Sequence, residues 1–162
     1  MFRKMRRSGQ LIPENESIEI LEKATTGILA VVGDEGYPYT VPVNYAYVDG
    51  KILMHGANSG HKIDAIKNCD KVSFCVIDKD DVIPELATTA YRSVVVFGRA
   101  RLVEDRAEML ALTEKVARKY CGNLPIVEKE LGDTNLTLSV IEITPEHITG
   151  KEGMELKKRR KQ

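Results

Sequence analysis

The chain has 162 residues, 43% of them hydrophobic, and its Lys plus Arg and Asp plus Glu both total 24. That length supports one domain with a buried core and is short for two, while balanced charge gives no overall basic field that would draw the chain to nucleic acid or to lipid. No stretch approaches the roughly 20 apolar residues that span a bilayer, and the basic N-terminus has no apolar run behind it, so neither a membrane span nor a secretory signal is expected. Cys69, Cys75 and Cys121 are odd in number and lack the close paired spacings of zinc or thiol redox motifs, which reads as reduced thiols of a cytoplasmic protein with no metal site.

In chain order, a basic segment with Arg3, Lys4, Arg6 and Arg7 precedes Pro13 and ENESIEILEKAT. Ile18, Ile20, Leu21 and Ala24 fall on one face there, predicting a short amphipathic helix that Gly27 ends. Ile28 to Val32 is a near-continuous branched apolar run, and GDEGYP is turn chemistry. A second strand is predicted from Tyr39 to Val48, a tight hairpin turn at Asp49-Gly50 and a third strand from Lys51 to Gly56. The spacing then turns helical from Lys62 to about Asn68, and Val72 to Ile77 returns to strand.

DKDDVIPELATTA, residues 78 to 90, reads as a long polar loop. Tyr91 to Val103 is the longest strand candidate, with Gly98 a bulge or close approach. Asp105 to Tyr120 has a helical period, Pro125 to Leu131 suits a further short helix, and Leu136 to Ile143 alternates as a final strand. The expected fold is therefore mainly β with peripheral helices: a six-stranded antiparallel barrel, closed or nearly closed, formed by a single domain over 1–162 with flexible basic ends at 1–12 and 150–162. The basic ends, KKRRKQ among them, read as solvated termini, since no aromatics are interleaved with them.

Tyr37 to Lys62 carries the chemistry, because it ends with a strand feeding a Gly- and Asn-containing loop into a helix start. Orphan N–H groups and the helix dipole favour an anion there. Gly60 permits close backbone approach, His61 can donate and Lys62 supplies a point charge; the alternative is a capped helix with a solvated lysine. His55 alone would read as a satisfied barrel histidine, and Asn44 is an unusual residue for a strand interior.

TVPVNYAYVDGKILMHGANSGHKIDAIKN, VSFCVID and YRSVVVFGRARLVED, in that order, resemble the pyridoxamine 5′-phosphate oxidase-like FMN-binding split barrels, most closely their nitroimidazole-resistance-protein-like branch. The likeness runs from Gly27 to Val103 and continues more weakly through 105–120 and IEITPEHITGK. It implies a homodimer with FMN in clefts built from both chains. By position, it implies that Thr40, Pro42, Val43, Asn44 and Tyr45 line the flavin ring and ribityl chain, largely through backbone. His55 and Gly56 would meet the cofactor from the third strand, His61 and Lys62 would hold its phosphate, and Ser93 would make a polar contact from the fifth.

The activity implied is FMN-dependent oxidoreduction of a small organic acceptor, with nitroaromatics as one class, His55 and Tyr45 as candidate proton donors, and Tyr91 covering the substrate side from the partner chain. The same barrel could instead be a non-catalytic flavin- or haem-binding module. ITGKEGMELKKRRKQ lacks the Arg- and His-bearing substrate segment of the true oxidases, which disfavours vitamin B6 phosphates as substrates. Arg6 and Arg7 match an MRR opening of that branch, but Ser8, Gly9 and Gln10 stand where the branch commonly has Lys, Asp and Arg.

Overall fold

A computed structural model describes residues 1–133 and 137–159. In chain order come α1 (Glu14–Lys23), β1 (Thr26–Val32), β2 (Pro38–Asn44), β3 (Ala46–Val48), β4 (Lys51–Gly56), α2 (His61–Asn68), β5 (Lys71–Ile83) and β6 (Thr88–Leu102). They are followed by α3 (Arg106–Cys121), α4 (Pro125–Leu131), β7 (Ser139–Glu152) and α5 (Met154–Arg159). Leu136, assigned above to the last strand, and the final three residues of KKRRKQ lie outside the described residues.

The architecture is mainly β with helices, built on one antiparallel sheet in the order β2-β1-β5-β6-β7-β4-β3. It has seven strands rather than the expected six, because the single strand expected over Tyr39–Val48 is broken at Tyr45. The cause is local: the Tyr120 hydroxyl accepts from the Tyr45 N–H (2.9 Å) and lies 2.7 Å from the Tyr45 carbonyl, which takes this peptide off the ladder. β2 and β3 end the sheet on opposite sides yet are one residue apart in the chain, so the sheet curls until its two edges meet at Tyr45. The ladder itself is not closed by hydrogen bonds.

Two further expectations are corrected. Residues 78–90 are not a loop: the β5–β6 ladder runs on through Lys79↔Arg92 to Ile83↔Thr88 after a bulge at Asp78, and only Pro84–Leu86 turns. The β5 half is exposed on both faces from Ile77 to Val82, so no apolar alternation announces it and its polar composition resembles a loop. β7 also continues nine residues beyond the expected Ile143, to Glu152. Its Pro145 is accommodated at the register shift opposite Gly98, where the ladder is already interrupted.

The inner face of the curled sheet is filled by Leu29, Val31, Phe74, Val76, Val94, Val96 and Ile143, and α1 and α2 add Leu21 and Ile63. Each such side chain contributes about 1.5–3 kcal/mol by leaving water. Gly27, expected to end α1, lies inside β1 instead, and Ala24 terminates the helix by donating to the Ile20 carbonyl. A Cβ on Gly27 would fall 2.2 Å from the Phe74 ring, so the glycine exists to admit that ring into the core. The turn between β3 and β4 is as expected: Asp49 and Gly50 both take left-handed backbone, the requirement of a tight hairpin turn.

Candidate functional site

Alternation along β2 divides the residues expected to line a ligand. Thr40, Pro42 and Asn44 are exposed on the outer face of the sheet, while Val43 is half-buried and turned toward the core. Beyond Asn44, the corner at Tyr45 brings this edge beside the end of β4 and the start of α2. Between them lies a cleft of about 520 Å³ lined by Val43, Asn44, His55, Lys62, Val116, Ala117, Tyr120, Cys121 and Glu130. That volume suits a small organic ligand.

Lys62 reaches over the terminal residue of β4, its Nζ 3.8 Å from where a Gly56 Cβ would be. Among the described residues it has no ion pair and no side-chain hydrogen bond, which leaves a positive charge available at the cleft. His55 presents its ring at the mouth of the same cleft. Burial against the cleft walls lowers its pKa below the ordinary histidine value, and the Glu130 carboxylate partly opposes that shift. Glu130 also brings a negative charge to the cleft, which weakens any anion site there.

His61 does not join Lys62. Its ring stacks on Tyr39 at 4.2 Å, and its Nε2 accepts from the Asp34 N–H at 3.3 Å and lies 3.7 Å from the Asp34 carboxylate. Neighbouring side chains at the start of a helix point about 100° apart, so the two residues face different sides of α2. The expected basic pair is therefore split, with Lys62 at the cleft and His61 against the β1–β2 turn.

Tyr45 is fully buried: its hydroxyl donates to the Leu21 carbonyl at 2.7 Å and its ring meets Phe74 edge-on at 4.9 Å. Burial, reinforced by Tyr120, pushes its pKa far above the ordinary tyrosine value. The side chain packs the core and has no proton to offer the cleft. Ser93 is on the outer face in the same ladder row as Ile77 and Lys151, and β6 is three strands from β2. At the usual strand spacing that puts Ser93 about 14 Å from Pro42. Tyr91 is engaged within its own chain, its hydroxyl 3.4 Å from Gln10 Oε1 and its ring 5.3 Å from the Lys151 amine.

The residue that sequence reasoning missed is Tyr120. Its ring forms a wall of the cleft, and its hydroxyl ties α3 to the corner through Tyr45 and, at 2.6 Å, through the Thr25 carbonyl. Asn44 Nδ2 donates to that same carbonyl at 3.0 Å, which explains the asparagine in β2. Lys119, the preceding residue, donates to the Ala24 carbonyl and lies 4.5 Å from the Tyr45 ring, so the end of α3 is fastened at several points.

The fold is an antiparallel sheet curled around an apolar core, with a cleft beside the corner where its edges meet. A family profile described as pyridoxamine 5′-phosphate oxidase matches residues 13–152, and the chain belongs to that family. Among solved structures it resembles the conserved hypothetical protein Rv2991 from Mycobacterium tuberculosis, with a TM-score of 0.78 at 21% identity over 92% of this chain and 90% of that one. It also resembles a candidate 5-nitroimidazole antibiotic resistance protein from Bacteroides thetaiotaomicron (0.71, 21% identity, 88% and 86%). A third is an FAD and haem binding protein from Mycobacterium smegmatis (0.71, 17% identity, 87% and 71%). Comparison with curated proteins gives no match.

Proposed function

We propose that the protein is a flavin-dependent oxidoreductase that binds FMN in the Val43–Lys62 cleft and passes electrons to a small organic acceptor. The observation that carries this reading is Lys62: a cation without a carboxylate partner among the described residues, lying over the glycine that ends β4, in a cleft shared with His55 and Asn44. Its amine would hold the phosphate, while Pro42 and Asn44 would offer the β2 edge to the ring. A phosphorylated ligand of this size suits the cleft, since a lysine with no ion pair among the described residues and the edge strand β2 would supply the positive charge and donors it needs. FMN, when bound, supplies the redox chemistry; the chain's own groups orient it and govern access. His55 remains the titratable group at the cleft and the candidate proton donor, whereas Tyr45 is withdrawn from that role by its burial.

Nitroaromatics are the first acceptors to test, on the likeness to the Bacteroides thetaiotaomicron protein. The reading includes a cytoplasmic homodimer in which Pro42 of one chain and Ser93 of the other meet one flavin. The support for it is their separation on one outer face and the exposed apolar Ile77 on a strand between them. A non-catalytic flavin or haem carrier is the second reading, favoured by the likeness to the FAD and haem binding protein.

An absorption spectrum of the purified protein, followed by titration with FMN, FAD and haem and by anaerobic reduction in the presence of a nitroaromatic, tests both. Flavin bands that bleach and then recover on adding the acceptor support the oxidoreductase. Bands that bleach without recovering across an acceptor panel favour the carrier, and protein that ignores FMN ends the proposal.

A further inference from the structure

Past Arg92 the β5–β6 hairpin leaves every other strand behind: β7 stops at Glu152 opposite Arg92, and β1 pairs β5 only as far as Cys75. What projects is a two-stranded ribbon whose β6 strand is covered by α5, Ala90 being fully buried and Gly153 N–H donating to the Tyr91 carbonyl, while its β5 strand is exposed from Ile77 to Val82. Ile77 at its base and Val82 and Leu86 near its tip are 55%, 69% and 59% exposed. Its acids Asp80, Asp81 and Glu85 have no ion pair among the described residues.

The complementary surface is at the N-terminus. Ile12 N–H donates to the Gly150 carbonyl and Leu11 bridges to Lys151, so the arm begins on the edge of β7 that β4 no longer covers. It then runs back to Phe2, which stacks on His147 at 4.8 Å and on Phe97 at 5.6 Å. Pinned at both ends, the arm holds Arg3, Lys4, Arg6 and Arg7 exposed, and none of them has an ion pair among the described residues. A chain of zero formal net charge thus separates an unpaired acidic ribbon from an unpaired basic arm.

Arm and ribbon extend in opposite directions from one ladder row, Ile77–Ser93–Lys151. The ribbon reaches about 20 Å from that row, and the arm covers about 13 Å of β7 on the other side of it. A two-fold axis across the strands at this level, above the outer face, lays the ribbon of each copy along the arm of the other. Such a contact is isologous, so both charge pairings form at once.

We propose that this protein pairs with a second copy of itself through reciprocal docking of the acidic Lys79–Thr89 ribbon on the basic Arg3–Arg7 arm. The proposal rests on the homodimer reading and names the surface that makes it. The experiment is to measure mass against concentration and salt for four full-length proteins without added flavin: wild type, Asp80→Lys/Asp81→Lys, Arg6→Glu/Arg7→Glu, and the four changes combined. Circular dichroism would check that each variant folds. The wild type is expected to be a dimer that weakens with salt, each double reversal to weaken it by about tenfold or more, and the combination to recover most of that loss. A dimer indifferent to the reversals, or a combination no better than either pair, overturns the docking surface while leaving the homodimer standing. A wild type that stays monomeric overturns both.

Discussion

A phosphate held by Lys62 should cost affinity in a way that depends on the phosphate itself. Lys62→Ala is expected to weaken FMN binding about ten- to a hundredfold, the range of a charge-assisted contact, and to leave riboflavin binding, which involves no phosphate, unchanged. Equal losses for both ligands, measured by flavin fluorescence, would remove Lys62 from the phosphate. Glu130→Gln should act oppositely, tightening FMN by removing a negative charge from the cleft. His55 adds a pH signature. Its folded pKa is depressed, so the folded chain favours the neutral ring, while the unfolded chain takes up a proton near the ordinary value of 6.5. Stability should therefore fall as pH drops from 6.5 through the lower folded pKa, and His55→Gln should flatten that slope in thermal melts. The family resemblance, rather than the residues taken singly, put Val43, Asn44, His55 and Lys62 at one ligand, and the fold brings the four to one cleft. The divergence of His61 was not, because the side of a short helix that each residue faces depends on what packs there, here Tyr39.

At the scale of elements, the corner at Tyr45 sets where the site is. Sequence reasoning sees β-branched and aromatic residues on both sides of it and continues the strand, since nothing local says that its N–H will be claimed by a hydroxyl 75 positions later. The same distance hid Tyr120, which reads as an ordinary residue at the end of an amphipathic helix. Tyr120→Phe keeps the wall of the cleft and removes the tie. It should cost about 1–3 kcal/mol of stability by stranding the Tyr45 N–H, and it should weaken FMN more than the fold, because the β2 edge would no longer be held against α3. Gly27 shows the reverse error: its type is eye-catching and its role in the sequence ambiguous. Gly27→Ala pushes a methyl into the Phe74 ring and should lower stability by about 1–3 kcal/mol without a selective effect on flavin. Comparing the two variants by melting temperature and FMN titration separates a clamp on the site from a packing requirement of the core.

For the whole molecule, the decisive length is the span between Pro42 and Ser93. Both face outward from one sheet, three strands apart, about 14 Å at the usual spacing. In the proposed homodimer Pro42 of one chain and Ser93 of the other meet one flavin, so that the ligand joins two chains. Binding and association are then linked: whatever FMN contributes to the dimer, dimerisation contributes to FMN affinity. With FMN at about a hundred times its Kd, the dimer should gain about 2.7 kcal/mol at each of its two sites, about ten-thousandfold in its dissociation constant. The expected result in sedimentation or mass photometry is a dimer fraction that climbs along the FMN titration, with riboflavin giving less. A monomer that retains FMN as tightly as the dimer would mean that the cleft of Val43, His55 and Lys62 is complete in one chain. Ser93 would then have no part in it, and the outer face would be a surface for association alone.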